Sequence, residues 1–292
     1  MSSSQDTSRH MYRLASLYNG AALVQLEAMH WQTCRKPREE VPLFGPRVSE
    51  SRKRTAYSVN QCVAAIDFNT AWLAFCIEGL DFDIEEVTFE YPKPTHEVEL
   101  WLCGSGCNER QIVTKYPHTI LKLIPNNKNE EAVVADATYA QYSFDDGIDT
   151  YNAYCATKVY RADGDSMREE LFGRCFEDYA AFKGYAWEQS CSDAAVCTTN
   201  NVMFRELSAA GGVKAVLSMG AEEYQRTEDS ILAALKQEME ELRLRLEWIY
   251  FGDADWFLMQ LANVVMDADG AGHQACMQSY RRRNRPQSRA SV

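Results

Sequence analysis

An α+β fold, with a small antiparallel sheet mid-chain and helices before and after it, is what the 292-residue sequence predicts. Three observations carry that expectation. Seven of the eight prolines (Pro37, Pro42, Pro46, Pro92, Pro94, Pro117 and Pro125) lie in the first half, and proline interrupts helices and central strands. Between about residues 85 and 137, short alternating, β-branched segments are separated by polar turns. Beyond about residue 150 the apolar residues recur at steps of three and four, the helical period.

A first helix is expected over about residues 8 to 31, where Leu14, Leu17, Ala21, Val24 and Ala28 share one face. The charged, proline-rich stretch "CRKPREEVPLFGPRVSESRKRT" then separates it from a second helix. That helix should start near Ser58 or Asn60, both good N-caps, and end at Gly79, a plausible C-cap. Val63, Ile66, Thr70, Leu73 and Ile77 line one side, and Phe68, Trp72 and Phe75 cover much of the rest, so it should be a buried, central helix.

Five extended segments follow: "EEVTFEY", "HEVELWL", "RQIVTK", "HTILKLI" and "EAVVADA". The turns "CGSGCNE" and "PNNKNE" between them favour antiparallel hairpins. Ser166 with Glu169 reads as a capping box opening a helix through Phe172, Cys175, Tyr179, Phe182 and Ala186. A later helix opens at Thr227 and carries Leu232, Leu235, Met239, Leu242, Leu246 and Ile249 at alternating steps of three and four. Under three heptads is short for a free coiled coil, so this stripe should pack on the domain, as should the apolar run "EWIYFGDADWFLMQLANVVM". The chain thus divides into an N-terminal helix and charged linker (1–55), a helix-plus-sheet core (56–150), a helical region packing on it (151–279) and a basic, disordered tail (280–292).

Composition narrows the function classes. A hydrophobic content of 46% supports a sizeable core. No apolar run of about 18 residues is present, and "MSSSQDTSRHMYR" lacks the pattern of a signal peptide, so a soluble, cytoplasmic protein with no membrane partner is expected. The net charge of −12 argues against a nucleic-acid-binding face. The tail "YRRRNRPQSR" is the exception, a weak nucleic-acid or acidic-partner contact or a nuclear-import element if it is more than solvated chain. The ten cysteines are scattered, several inside apolar helical patterns, and read as reduced and buried.

No cofactor or metal is expected. His96, Cys103 and Cys107, and the pair Cys191 and Cys197, lack the spacing of structural zinc sites. Asp253 with Asp255 and Asp267 with Asp269 lack the alternating ligands and closing Glu of a calcium loop. There is no phosphate-cradling glycine motif and no serine elbow.

Three residues in order could carry chemistry: Cys62 near a helix start, His118 opening one strand and Asp136 ending the next. A helix N-terminus stabilises a thiolate, a His can act as base toward the thiol and acid toward a leaving group, and a third group fixes the ring. Each also has a plain reading. Cys62 shares a face with Ile66, Leu73 and Cys76 and could be a core cysteine, His118 could begin a surface strand, and Asp136 could close an Asx-turn.

The stretch from His118 through "TILKL" to "AVVADATYAQYSF" resembles the His strand and the following strand-and-loop of papain-like, transglutaminase-like proteins. It is most similar to a fungal group in which a stretch like "VVDLTGAQYG" recurs. Cys62, His118 and Asp136 match the Cys, His and Asp of that family in chain order, and Ser143 stands where a Gly is expected. The resemblance covers about residues 55 to 145. It implies a Cys helix packed on the sheet and acyl chemistry on a peptide or carboxamide bond, by an intracellular hydrolase or acyltransferase. The alternative it leaves open is a catalytically inactive binding or scaffold module of the same fold, using its helical half for protein partners. Oligomeric state is not readable from the sequence.

Overall fold

The computed structural model describes residues 4–29, 53–54, 57–58, 61–95, 99–104, 107–112, 117–160, 166–173, 186–250, 264 and 270–284. It combines helices with a five-stranded antiparallel sheet, the α+β class expected. Most of the linker at 34–55, Asn60, His96, the stripe beyond Gly173 to Phe182, the run at 251–263, the two late Asp pairs and the last eight residues lie outside the described residues.

Helix α1 (Ser4–Met29) is followed by two short helices, α2 (Cys62–Asp67) and α3 (Thr70–Ile77). One continuous helix was expected here, and the break at Phe68 and Asn69 has a visible cause. The Asn69 side chain donates from Nδ2 to the Ala65 carbonyl at 2.7 Å and to Gln25 Oε1 at 2.6 Å, while its Oδ1 accepts from Trp72 Nε1 at 2.6 Å. Gln25 in turn donates to Thr199 Oγ1 at 2.7 Å. An amide that bonds its own backbone competes with the helical ladder. Here that competition is locked by a fully buried network joining three helices. Gly79 has φ +80°, the left-handed conformation expected of a C-cap glycine.

The sheet runs β6-β5-β4-β1-β7, with every neighbour antiparallel. Its strands are β1 (Phe82–Phe89), β4 (His118–Pro125), β5 (Val133–Ala135), β6 (Ile148–Thr150) and β7 (Met167–Leu171). Strands β2 (Glu99–Gly104) and β3 (Cys107–Ile112) pair only with each other, as a separate hairpin. Two strands were not foreseen. Of the expected capping box, Glu169 lies in β7 and Ser166 just before it, because β1 offers an open edge along Glu85 to Phe89. Lys122 Nζ then reaches across the sheet to Glu169 Oε1 at 2.6 Å, and tertiary pairing overrides the local helix signal. β6 leads into helix α4 (Tyr151–Lys158), capped by Thr150 Oγ1 accepting from Ala153 N–H.

The pleat sorts side chains onto two faces. Phe82, Ile84, Leu121, Leu123, Val133 and Ala135 join a large core with α1, α2 and α3. Val87, Phe89, Ile120 and Val134 face the other way, onto Tyr142, Phe144, Tyr154 and Val159. Helices α5 (Ala186–Ala209), α6 (Val213–Ser218), α7 (Ala221–Tyr250) and α8 (Ala271–Arg283) complete the structure. α7 starts six residues before Thr227, and the stripe of Leu235, Met239, Leu242, Leu246 and Ile249 is buried in the larger core. α8 extends through Arg283 with Tyr280 buried, so residues 280–283 of the supposed disordered tail are helical. The neighbouring turn explains it: Arg282 forks onto Glu78 at 2.8 and 3.0 Å, and Tyr280 donates to the Gly173 carbonyl. Among the described residues, no helix is long and apolar enough to cross a membrane.

Candidate active site

The sheet topology brings His118 and Asp136 to one edge of the smaller core. Strand β4 opens at His118, directly after Pro117, which has no N–H to give to a sheet ladder. Leu121 pairs with Ala135, and carrying that register one step further sets Asp136 opposite Ile120, two residues along the same face from His118. The contact is direct: His118 Nε2 lies 2.8 Å from Asp136 Oδ2, with both side chains excluded from solvent. The Asp136 N–H donates to the Gly147 carbonyl at 2.7 Å, which fixes the backbone at the carboxylate.

Asp136 is held by more than its histidine. Oδ1 accepts from the Thr138 N–H at 3.1 Å, the Asx-turn that was the plain reading of this residue. Tyr154, from α4, donates its hydroxyl to Oδ2 at 2.8 Å. Tyr142 lays its ring against the imidazole, centroids 4.4 Å apart, and donates to the Pro117 carbonyl. Just beyond it Ser143 takes φ +57°, the one left-handed non-glycine among the described residues, which accounts for a glycine preference at this turn.

Cys62 is the first residue of α2 and is 9% exposed. Burial alone would push its thiol up. His118, together with the N–H groups of Thr119 and Val63 lying against the sulfur, outweighs burial and holds the thiol below its usual range. His118 shows the complementary shift. Burial lowers its basicity, but the Asp136 carboxylate and then the Cys62 sulfur raise it, to about 9. Nδ1 is buried and makes no hydrogen bond of ordinary length and angle. The sulfur therefore acts on the ring at looser geometry than the carboxylate does. All three sequence-chosen residues thus meet. Tyr142, Thr138 and Tyr154 were not singled out, and only Thr138, two residues beyond an Asp, carried a readable local signal.

A cleft of about 280 Å³ lies near the turn that follows Asp136, though Cys62, His118 and Asp136 themselves do not line it. Its walls come from Ser58, four residues before Cys62, from Ala137, Tyr139 and Ala140 just after Asp136, and from α1 and α7. Gly147 packs closely against Asp136 and Tyr139. A Cβ there would overlap the Asp136 carbonyl oxygen and meet Tyr139 Cδ1 at 2.6 Å and Asn19 Nδ2 at 2.8 Å. Gly147→Ala should therefore destabilise the protein by about 2 kcal/mol and slow any reaction of Cys62 by shifting Asp136. Urea unfolding and Cys62 alkylation rates check this, and a variant matching the parent in both would show that the strand pair yields freely.

Behind the site, Asp67 ends α2 almost wholly buried, and its carboxyl is pushed up to about 8 by burial, then by Asp193 on α5 and Glu86 on β1. Among the described residues no group of three or more His, Cys, Asp or Glu could hold a metal ion. Cys191 and Cys197 are both buried on α5. Comparison with protein-family models, with curated proteins and with solved structures gives no match to this chain.

Proposed function

We propose that this protein is a cysteine-nucleophile enzyme, a hydrolase or acyltransferase acting on a peptide or carboxamide bond, built on a papain-like or transglutaminase-like core. One observation carries the reading: His118 bridges a thiol with lowered pKa on one side and a buried carboxylate on the other. A merely structural core cysteine has no such partner. Cys76, one helix further on, shows the contrast, since burial drives its thiol far up.

The chemistry follows from the arrangement. The Cys62 thiolate attacks the carbonyl carbon, and the C=O π electrons move onto oxygen. The Cys62 backbone N–H, in the first helical turn where amides lack carbonyl partners, is a donor suited to that oxyanion. The oxyanion then collapses, the C–N bond breaks, and the imidazolium of His118 gives its proton to the departing amine, leaving a thioester on Cys62. Neutral His118 next removes a proton from water or from an acceptor amine, which attacks the thioester and releases the thiolate. Asp136 keeps the ring oriented and stabilises its charged form throughout.

Alkylation of the native protein with iodoacetamide at pH 6, followed by peptide mapping, tests the proposal. Cys62 should be labelled first among the ten cysteines. If it stays inert until the protein is denatured, the nucleophile is lost and the inactive scaffold reading takes its place.

A further inference from the structure

We propose that Tyr154 is a positioning residue of this site, a fourth member supplied by α4 from outside the segment that carries Cys62, His118 and Asp136. The inference rests on the reading above. Tyr154 is buried, and its hydroxyl donates to Asp136 Oδ2, the same oxygen that His118 Nε2 contacts, both at 2.8 Å. An aspartate oxygen has two lone-pair directions, so the phenol and the imidazole occupy one each. With the Thr138 N–H on Oδ1, the carboxylate is clamped from both ends and cannot rotate away from the ring.

The phenol's own placement is firm. Its ring stacks on Phe89 at 5.9 Å and meets the edge of Phe144 at 6.1 Å. Lys158 lies over its outer face, 5.0 Å from the centroid, and donates to the Asp146 carbonyl. Phe89 itself pairs with His118 across the sheet, so the tyrosine is braced on the strand next to the one it serves. Electrostatically the hydroxyl has a second effect. By donating to the carboxylate it takes up part of its charge, which moderates how strongly Asp136 raises His118. The tyrosine thus trades some basicity of the histidine for a fixed orientation.

Tyr154→Phe keeps the ring and its packing and removes only the hydroxyl. Two readouts separate positioning from packing: the His118 titration midpoint by nitrogen NMR, and the Cys62 alkylation rate at pH 6. In Tyr154→Phe the midpoint should rise by about half a unit while the alkylation rate falls by about five- to tenfold. In an Asp136→Asn background the same substitution should change neither, because the hydroxyl acts through the carboxylate. A midpoint and rate equal to the parent's, with only thermal stability reduced, would reduce Tyr154 to a packing residue. Parent protein with inert Cys62 would instead sink the enzymatic reading itself, and this proposal with it, so the two failures are distinct.

Discussion

His118→Ala should slow the alkylation of Cys62 at pH 6 by at least about tenfold, because the thiol loses the partner that most lowers its pKa and returns toward a range where little of it is ionised. In the parent, His118 and the N–H groups of Thr119 and Val63 hold the thiol below its usual range despite burial. Asp136→Asn preserves shape but removes the charge that lifts His118 to about 9, so its midpoint should fall toward the ordinary value. The direction of the accompanying stability change follows from linkage. A histidine whose pKa is raised on folding stabilises the fold fully below about pH 6.5 and loses that contribution as pH climbs through about 9. The asparagine variant should lack this dependence. Alkylation that proceeds equally fast in parent and His118→Ala would mean that the ring does not activate the sulfur.

Trp72→Ala should cost about 4 kcal/mol of unfolding free energy. The indole is completely buried, at 0% exposure, in the larger core, and it is among the largest side chains there. Its removal leaves a cavity and also strips a donor from Asn69 Oδ1, in the network that shapes the break between α2 and α3. Trp72→Phe isolates part of the effect by keeping most of the apolar volume and losing the N–H, at about 1 to 2 kcal/mol. Denaturant unfolding followed by circular dichroism gives both numbers. A loss under about 1 kcal/mol for the alanine variant would show that the surrounding helices close over the gap.

Sequence patterns were legible wherever a side chain's local period agreed with its final surroundings. The segment "HTILKLI" is a strand as its alternation suggested, though both its faces are covered, and the stripe at Leu235, Met239 and Leu242 survives as the buried face of its helix. Ser166 and Glu169 failed for the opposite reason: the deciding partner is the edge of β1, some 80 residues earlier in the chain, and no local signal reports a vacant edge. Asn69 looked like an ordinary helix residue because its competing partners, Gln25 and Trp72, are set by tertiary packing. At the site, the order of Cys62, His118 and Asp136 was readable because chemistry demands those residue types. Tyr154 was silent, since a tyrosine in "TYNAYCATK" differs in no visible way from its neighbours Tyr151 and Tyr160.

The buried carboxyl of Asp67 has a bearing on where such a protein could work. Its pKa rises on folding to about 8, so the fold holds its proton more tightly than the unfolded chain, and stability declines as pH rises from about 4 to about 8. The His118 contribution fades over a higher, overlapping range, in the same direction. The frame and the reactive pair therefore weaken together toward alkali, while mild acid leaves both intact. Both losses run in one direction, and that of Asp67 is already well advanced at neutral pH, which makes a mildly acidic milieu the one that this architecture suits.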